Sequence, residues 1–213
     1  MDMRKIYEKK IKQVLDRVIS GVLLLFLWPL LLLIGLFIKL EDGGKILFTQ
    51  YRLGRDRVPF KIYKFRTMKE NHDNPEIRTY LGDERITRAG AFLRKTSLDE
   101  LPQLWNILKG DMAIIGPRPV LPEEAEETQD GFPYEKRFSC LPGLCCTVDI
   151  KYRAAADKEL QYKMDVSYAE KIKFSEDVMI AMQTAVTVLK GKNIYSAKAS
   201  DEEKKKDDEK KEG

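Results

Sequence analysis

A long uninterrupted run of apolar residues near the start of the chain is the strongest pattern in the sequence. No charged residue occurs between Val18 and Ile38, and this is roughly the 20 apolar residues needed to cross a bilayer core. A secretory signal peptide would have a shorter apolar region followed by small residues, whereas charged residues beginning at Lys39 follow here. The pattern therefore predicts a membrane helix over residues 18–40.

The residues before this run predict an amphipathic helix. Over residues 1–17, Ile6, Ile11, Val14 and Leu15 recur at near-helical spacing with basic residues between them. A basic segment beside a membrane helix is attracted to anionic lipid headgroups and favours the cytoplasmic side. We therefore predict an interfacial helix over residues 1–17, with membrane lipids among its partners.

Pro29 lies in the middle of the apolar run, and a proline kinks or breaks a helix. Two topologies follow: a kinked helix that spans the membrane, or a re-entrant helix that dips in and returns to the same side. A span would place the basic N-terminus and the rest of the chain on opposite sides. Charge favours re-entry only modestly, because Lys39 and Lys45 make the other flank basic too.

Beyond the apolar run the pattern alternates between short apolar stretches and polar connections. It predicts short strands at 45–50 and 60–66, a mobile loop at 69–84, a surface connection or short helix at 120–138, and a helix at 167–189. In the second strand, period-two alternation leaves Lys61 or Lys64 to project from one face. The apolar stripe of the last helix belongs to the core or to an interfacial face.

Composition limits the remaining possibilities. The 213 residues suit one domain, predicted here as a cytoplasmic domain over 41–195 with a disordered charged tail at 196–213. The net charge of +4 is too small to argue for nucleic acid as a partner. The three cysteines include an adjacent pair, Cys145 and Cys146, which disfavours a disulfide framework and predicts reduced thiols.

Two adjacent carboxylates, Asp99 and Glu100, form the most informative cluster. Ser97 and Glu100 fit a capping box, and Asp99 suits the first turn of a helix, so helix capping alone would explain all three. The apolar residues that follow, Leu101 and Trp105 among them, predict one helix continuing to residue 108. Taken by itself, this segment favours a structural interpretation.

Basic residues on both sides of the pair change that interpretation. Arg94 precedes it, and Arg118 follows between two prolines that restrict the backbone. The planar guanidinium fork matches phosphate oxygens, and a carboxylate can attack phosphorus to form an acyl phosphate. Nearby positive charge also keeps Asp99 ionised. The cluster therefore indicates chemistry on a phosphate, carried out at a membrane.

Four ordered motifs resemble those of the bacterial sugar transferases, more narrowly the small monotopic phosphoglycosyl transferases that act on undecaprenyl phosphate. They are Phe-Thr-Gln at 48–50, Lys-Phe-Arg-Thr-Met at 64–68, Ser-Leu-Asp-Glu-Leu-Pro-Gln-Leu-Trp-Asn at 97–106 and Gly-Pro-Arg-Pro at 116–119. The resemblance covers roughly residues 11–190. It implies an α/β fold: a compact catalytic domain with short β elements and interfacial amphipathic helices, plus a re-entrant membrane helix broken at Pro29.

The resemblance also implies an activity. Family members move a phospho-sugar from a UDP-sugar to undecaprenyl phosphate and release UMP, at the cytoplasmic face of the bacterial inner membrane. Asp99 matches the nucleophile that forms a covalent phosphosugar intermediate, Glu100 assists it, and Mg²⁺ is required, with Asp99 as a metal ligand. Downstream glycosyltransferases, which would extend the product, are possible partners.

Further residues are assigned by the same resemblance. Lys64, Arg94 and Arg118 match basic positions around the phosphates and nucleotide, and Arg153 and Asp165 match later positions near the site. The sequence departs from the family pattern at Trp28, where a serine often precedes the membrane proline. It also departs in the Pro-Gly-Leu-Cys-Cys stretch at 142–146 and in Lys-Tyr-Arg at 151–153, which weakens the assignment of Arg153.

Two other functions are consistent with parts of the sequence. A nonenzymatic membrane-anchored module that binds lipid or a partner enzyme would explain residues 1–40 without using Asp99 and Glu100. An ordinary glycosyltransferase would release UDP rather than UMP. The sequence leaves the identity of the sugar open.

Overall fold

The computed structural model describes residues 7–69, 83–126, 132–148 and 158–190. Arg153, most of the predicted loop at 69–84 and the predicted tail at 196–213 lie outside these residues. The described part combines helices with two small sheets, as expected for an α/β domain with short β elements.

The apolar run forms one continuous helix, α1 (Lys12–Asp42), which follows a π-helical turn at Tyr7–Ile11. The helix continues through Pro29, so the predicted break at this residue is not observed, and neither is a boundary between residues 17 and 18. A proline removes one backbone donor, and packing on either side can hold the helix together across that loss. In the described part of the chain, α1 is the one helix long and apolar enough to cross a membrane.

Helix α1 lies along the rest of the domain from one end to the other. Near its start, Lys12 Nζ lies 2.7 Å from Asp177 Oδ2. Further along, Gly35 lies close to Ile46, which a side chain at position 35 would crowd. At its end, Asp42 forms an ion pair with Arg66. Both ends of α1 are therefore attached to the same folded body.

The two faces of α1 have different surroundings. Buried positions on the inner face include Ser20, Ile34 and Ile38. The opposite face leaves large apolar side chains exposed, among them Val18, Val22, Leu25, Phe26, Leu32, Leu33, Leu36 and Phe37. An apolar surface of this extent on one helix is typical of contact with lipid or another protein.

The predicted strands form a hairpin of β1 (Leu47–Leu53) and β2 (Pro59–Phe65). In this antiparallel register Gln50 lies opposite Ile62, and Arg52 opposite Phe60. Opposite residues share a face of the sheet and side chains alternate along each strand, so Gln50, Arg52 and Lys64 belong to one face. A second sheet pairs β3 (Ala113–Ile115) with β4 (Gly143–Cys145) in parallel.

The remaining helices are α2 (Arg88–Thr96), α3 (Gln103–Lys109), α4 (Pro122–Glu126), α5 (Lys158–Glu170) and α6 (Phe174–Lys190), with 3₁₀ turns at Arg55–Arg57, Leu98–Glu100 and Tyr134–Ser139. The predicted helix at 167–189 is therefore split between α5 and α6. Its apolar stripe divides as well: Tyr168 and Ile172 are buried, whereas Val178, Met179 and Met182 are exposed.

Two buried clusters fix the hairpin in place. Phe60 and Ile62 of β2 pack with Leu104 and Ile107 of α3. Residues of α1, β2 and α2 meet in a second cluster made of Ile34, Ile38, Phe65 and Leu93. Together these contacts hold the end of β2 against the turn that joins α2 to α3. Cys140 and Cys146 are buried, and Cys145 is partly exposed.

Candidate active site

The Asp99–Glu100 pair lies in a tight turn between two helices. Ser97 closes α2 with a left-handed backbone (φ 56°), and its N–H donates to the carbonyl of Arg94. The predicted capping box is wrong, since the Ser97 side chain makes no capping hydrogen bond. An N-cap residue needs an extended backbone, and Ser97 instead has the conformation that ends the preceding helix.

The predicted helix from 98 to 108 is interrupted at its first turn. Leu98–Glu100 forms a 3₁₀ turn, and α3 begins only at Gln103, after Pro102. The predicted apolar stripe is correspondingly wrong about Trp105, which is 52% exposed. Leu104 and Ile107 are the buried residues of α3. The two carboxylates therefore lie in an irregular turn and not on the face of an α-helix.

Glu100 forms an ion pair with Lys64. Lys64 Nζ lies 2.7 Å from Glu100 Oε1, and the two side chains are 25% and 29% exposed. The pair joins the end of β2 to the turn, across 36 positions of sequence. Both residues were predicted at the site, and the structure brings them into direct contact.

The pKa of Asp99 is raised to about 6, first by burial and second by the neighbouring charge of Glu100. Lys64 and Arg94 act in the opposite direction. At neutral pH Asp99 is therefore mainly ionised while being only partly hydrated. Such a carboxylate has the properties of an activated nucleophile.

The side chain of Arg94 is held by Thr67, which follows Arg66 in the motif at 64–68. Arg94 Nε donates to Thr67 Oγ1 at 2.8 Å. The Arg94 carbonyl accepts from the Ser97 N–H, so Arg94 lies one turn before Asp99 in the chain, and its positive charge opposes the rise in the pKa of Asp99. Four predicted residues, Asp99, Glu100, Lys64 and Arg94, thus form one cluster.

Arg118 is held through its backbone. Asp165 Oδ1 accepts a hydrogen bond from the Arg118 N–H at 3.3 Å, and Arg137 Nη2 donates to the Arg118 carbonyl at 2.7 Å. Arg137 and Asp165 also pair with each other at 2.5 Å, with side chains 2% and 0% exposed. Asp165, predicted as a substrate-binding residue, is therefore buried behind Arg118 and supports its backbone.

Arg52 is a basic residue of this region that the motifs did not single out. Its Nη2 donates to Gln50 Oε1 at 2.7 Å, and its Nη1 lies 3.7 Å from Glu124 Oε2. Burial lowers the pKa of Arg52, the charge of Glu124 opposes this, and the charge of Arg118 adds to it. The sequence feature that could have identified Arg52 is its spacing of two residues from Gln50 on the strand that pairs with β2, since this spacing places both side chains on one face of the sheet.

The carboxylates offer a limited set of metal ligands. Among residues 7–69, 83–126, 132–148 and 158–190, no group of three His, Cys, Asp or Glu side chains is arranged to hold a metal ion. Asp99 and Glu100 are the carboxylates of the turn, and Glu100 is paired with Lys64. Mg²⁺ keeps several waters and often binds one or two carboxylates plus substrate phosphates, so these residues fit a Mg²⁺ carried by a diphosphate.

Comparison with known proteins identifies the family of the chain. The sequence model for bacterial sugar transferases matches residues 7–191. The chain is 36% identical to the UDP-glucose:undecaprenyl-phosphate glucose-1-phosphate transferase of Caulobacter vibrioides, covering 86% of this chain and 72% of that protein. It is 34% identical to the exopolysaccharide production protein ExoY of Rhizobium meliloti, covering 86% and 88%.

A third relative extends the range of named sugars. The chain is 34% identical to the UDP-N-acetylgalactosamine-undecaprenyl-phosphate N-acetylgalactosaminephosphotransferase of Aeromonas hydrophila, covering 85% of this chain and 44% of that protein. The match to the family model extends over α1, the candidate site, α5 and α6. The chain therefore belongs to the bacterial sugar transferase family.

Proposed function

We propose that the protein transfers a sugar phosphate from a UDP-sugar to undecaprenyl phosphate. The observation that carries this proposal is Asp99, a partly buried carboxylate flanked by the Lys64–Glu100 ion pair and by Arg94. The printed names of the relatives from Caulobacter vibrioides and Aeromonas hydrophila describe transfers of this kind, with different sugars.

The proposed reaction has two displacements at one phosphorus. A carboxylate oxygen of Asp99 attacks the phosphorus that bears the sugar, and the bond from this phosphorus to the bridging oxygen of UMP breaks. UMP leaves with that oxygen, and an aspartyl phosphosugar remains. An oxygen of undecaprenyl phosphate then attacks the same phosphorus, which breaks the acyl phosphate bond and regenerates the Asp99 carboxylate.

The basic residues counter the repulsion between a carboxylate and a diphosphate. Lys64 pairs with Glu100, the neighbour of Asp99, and the charges of Lys64 and Arg94 both act on Asp99. The charges of Arg118 and Arg52 act on one another. Guanidinium and ammonium groups placed in advance around developing phosphate charge are a main source of rate enhancement. Glu100 orients Lys64 toward the turn, and Arg153 is proposed as a further contact to the nucleotide.

We further propose that Mg²⁺ binds together with the UDP-sugar. Asp99 is the proposed protein ligand, with diphosphate oxygens and water completing the coordination. Bound there, the ion would neutralise diphosphate charge and favour departure of UMP. Chelation by EDTA is expected to stop UMP release, and added Mg²⁺ is expected to restore it.

The proposed location is the cytoplasmic face of the bacterial inner membrane, with both ends of α1 on the same side. Support comes from Lys12 and Asp42, which attach opposite ends of α1 to the one domain. The exposed apolar faces of α1 and α6 are the proposed lipid contacts. Glycosyltransferases that extend the lipid-linked sugar would use the product.

The deciding experiment incubates membranes containing the protein with Mg²⁺, undecaprenyl phosphate and a panel of UDP-sugars. UMP release with one or more sugars is the expected result, and an intact-mass increase of one phosphosugar on Asp99 would identify the intermediate. Release of UDP would indicate an ordinary glycosyltransferase. Absence of either nucleotide product across the panel would favour a nonenzymatic membrane module.

A further inference from the structure

The last turn of α1 caps a second helix. Glu41 Oε1 accepts a hydrogen bond from the Arg88 N–H at 2.7 Å, and Glu41 Oε2 accepts one from the Ala89 N–H at 3.1 Å. These donors are at the start of α2, where backbone N–H groups have no partner within the helix. Thr87 Oγ1 satisfies a third, the Gly90 N–H, at 2.9 Å. The beginning of α2 is therefore fixed to the end of α1.

The neighbouring residue of α1 fixes the strand that precedes the site. Arg66 Nη1 donates to Asp42 Oδ2 at 2.7 Å, and Arg66 Nη2 donates to Asp42 Oδ1. Arg66 Nε also donates to the Lys45 carbonyl at 2.5 Å. The Arg66 side chain is only 7% exposed. A two-pronged contact of this kind fixes orientation as well as distance.

Thr67 joins these two attachments to Arg94. The Thr67 carbonyl accepts from the Thr87 N–H at 3.1 Å. Gly90 packs so closely on the Thr67 backbone that a side chain there would collide with the Thr67 carbonyl. Thr67 Oγ1 then accepts from Arg94 Nε at 2.8 Å. A continuous set of contacts thus runs from Asp42 through Arg66 and Thr67 to Arg94.

We propose that Glu41, Asp42 and Arg66 are positioning residues that place the Arg94 guanidinium at the turn that carries Asp99. Glu41 fixes the helix that carries Arg94, and the Asp42–Arg66 pair fixes the threonine that Arg94 contacts. Displacement of the end of α1 would therefore displace Arg94. The catalytic consequence rests on the proposed function, whereas the placement of Arg94 can be measured without it.

The first test is a double-mutant cycle on UMP release. Asp42→Asn is expected to lower kcat/KM about 10- to 100-fold, since small misplacements of catalytic groups have effects of this size. In an Arg94→Gln background the same change is expected to cost less than about twofold, because coupled residues are not additive. Equal costs in both backgrounds would overturn the proposal. Glu135→Gln, which alters an exposed pair with Arg57, is the matched control and should leave kcat/KM unchanged.

A second test does not depend on turnover. The Nε–H resonance of Arg94, assigned in the ¹⁵N-labelled protein, reports the hydrogen bond to Thr67. We expect Asp42→Asn and Arg66→Lys to shift this resonance and to speed its exchange with water, and Glu41→Gln to speed exchange of the Arg88 and Ala89 amides. An unchanged Arg94 resonance in folded Arg66→Lys, which keeps the positive charge, would overturn the proposal even if wild-type turnover is normal.

If the wild-type protein releases no nucleotide, the proposed function fails and the resonance test still decides the placement of Arg94. If Asp42→Asn does not fold, Arg66→Lys provides both measurements. A shifted resonance with unaltered kcat/KM would show that Arg94 is positioned by these residues without a part in the reaction, which overturns the catalytic half of the proposal.

Discussion

The protein contains two pairs of oppositely charged side chains with different surroundings. Lys64 and Glu100 lie beside Asp99 with about a quarter of each side chain exposed. Arg137 and Asp165 are almost wholly buried, and both contact the backbone of Arg118. The first pair is open to an incoming anion, whereas the second is closed behind the residue it supports.

This difference in exposure predicts different roles for the two pairs, one in the reaction and the other in the stability of the fold. Removing one partner of a buried pair leaves a charge without compensation in a medium that solvates it poorly. Removing one partner of a partly exposed pair leaves a charge that water can solvate. The same residue types therefore predict opposite effects: activity should depend on the Lys64–Glu100 pair, and stability on the Arg137–Asp165 pair.

The largest expected effect belongs to the carboxylate next to the open pair. Asp99→Asn removes the proposed nucleophile and should lower UMP release by roughly 10⁴-fold or more. The variant should fold normally, because burial already penalises the charge of Asp99. Intact-mass measurement should show no phosphosugar adduct. Near-normal turnover by Asp99→Asn would rule out the nucleophile assignment.

The closed pair should give the largest effect on stability. Asp165→Asn leaves the Arg137 charge buried, and we expect the free energy of unfolding to fall by about 3–5 kcal/mol. Chemical denaturation measures this loss. Glu135→Gln, at an exposed ion pair, is the control and should change stability by less than about 1 kcal/mol. Equal losses in the two variants would show that the buried and the exposed pair contribute alike to stability.

Lys64→Met tests the open pair in the same way. We expect turnover to fall about 10²-fold, as is common when one electrostatic contact in an active site is removed. The free energy of unfolding should change by no more than about 1 kcal/mol, since the pair is partly exposed. A large loss of stability with little loss of turnover would reverse the assignment of the two pairs.

The smallest effect is a displacement of the pH profile. The pKa of Asp99 is about 6, so the rate of adduct formation from UDP-sugar alone should rise as pH increases through about 6, when the carboxylate loses its proton. Glu100 raises this pKa, so Glu100→Gln should move the rise to lower pH. Lys64 lowers it, so Lys64→Met should move the rise to higher pH. Single-turnover mass spectrometry across pH measures both displacements.

Sequence patterns predicted the separate elements of the site, but Lys64 and Glu100 are 36 positions apart and were grouped only by the family resemblance. The hairpin strands follow from alternation, and the placement of Lys64 and Arg94 near Asp99 follows from the family resemblance. The capping box failed because the Ser-x-x-Glu spacing does not determine the backbone of Ser97, which closes α2 in a left-handed conformation. The preceding helix, α2, determines the backbone conformation of Ser97, so this serine ends α2 and does not cap the turn that follows.

Tertiary contacts explain the remaining differences between what the sequence predicted and what the structure shows. The pairing of Asp165 with Arg137 joins α5 to a 3₁₀ turn, and no spacing rule specifies such a contact. Pro29 removes one hydrogen bond, but packing along the domain holds α1 together across it. Arg52 was missed because its neighbours, Glu124 and Arg118, are distant in sequence.

The attachment of α1 along its length means that it is more than a removable anchor. A chain truncated to begin after residue 42 would expose Phe65 and Leu93, which pack against α1. The same truncation would take Asp42 from Arg66 and Lys12 from Asp177. Deleting α1 to obtain a more soluble protein should therefore yield aggregated protein, whereas polar substitutions on the outer face of α1 should preserve the fold.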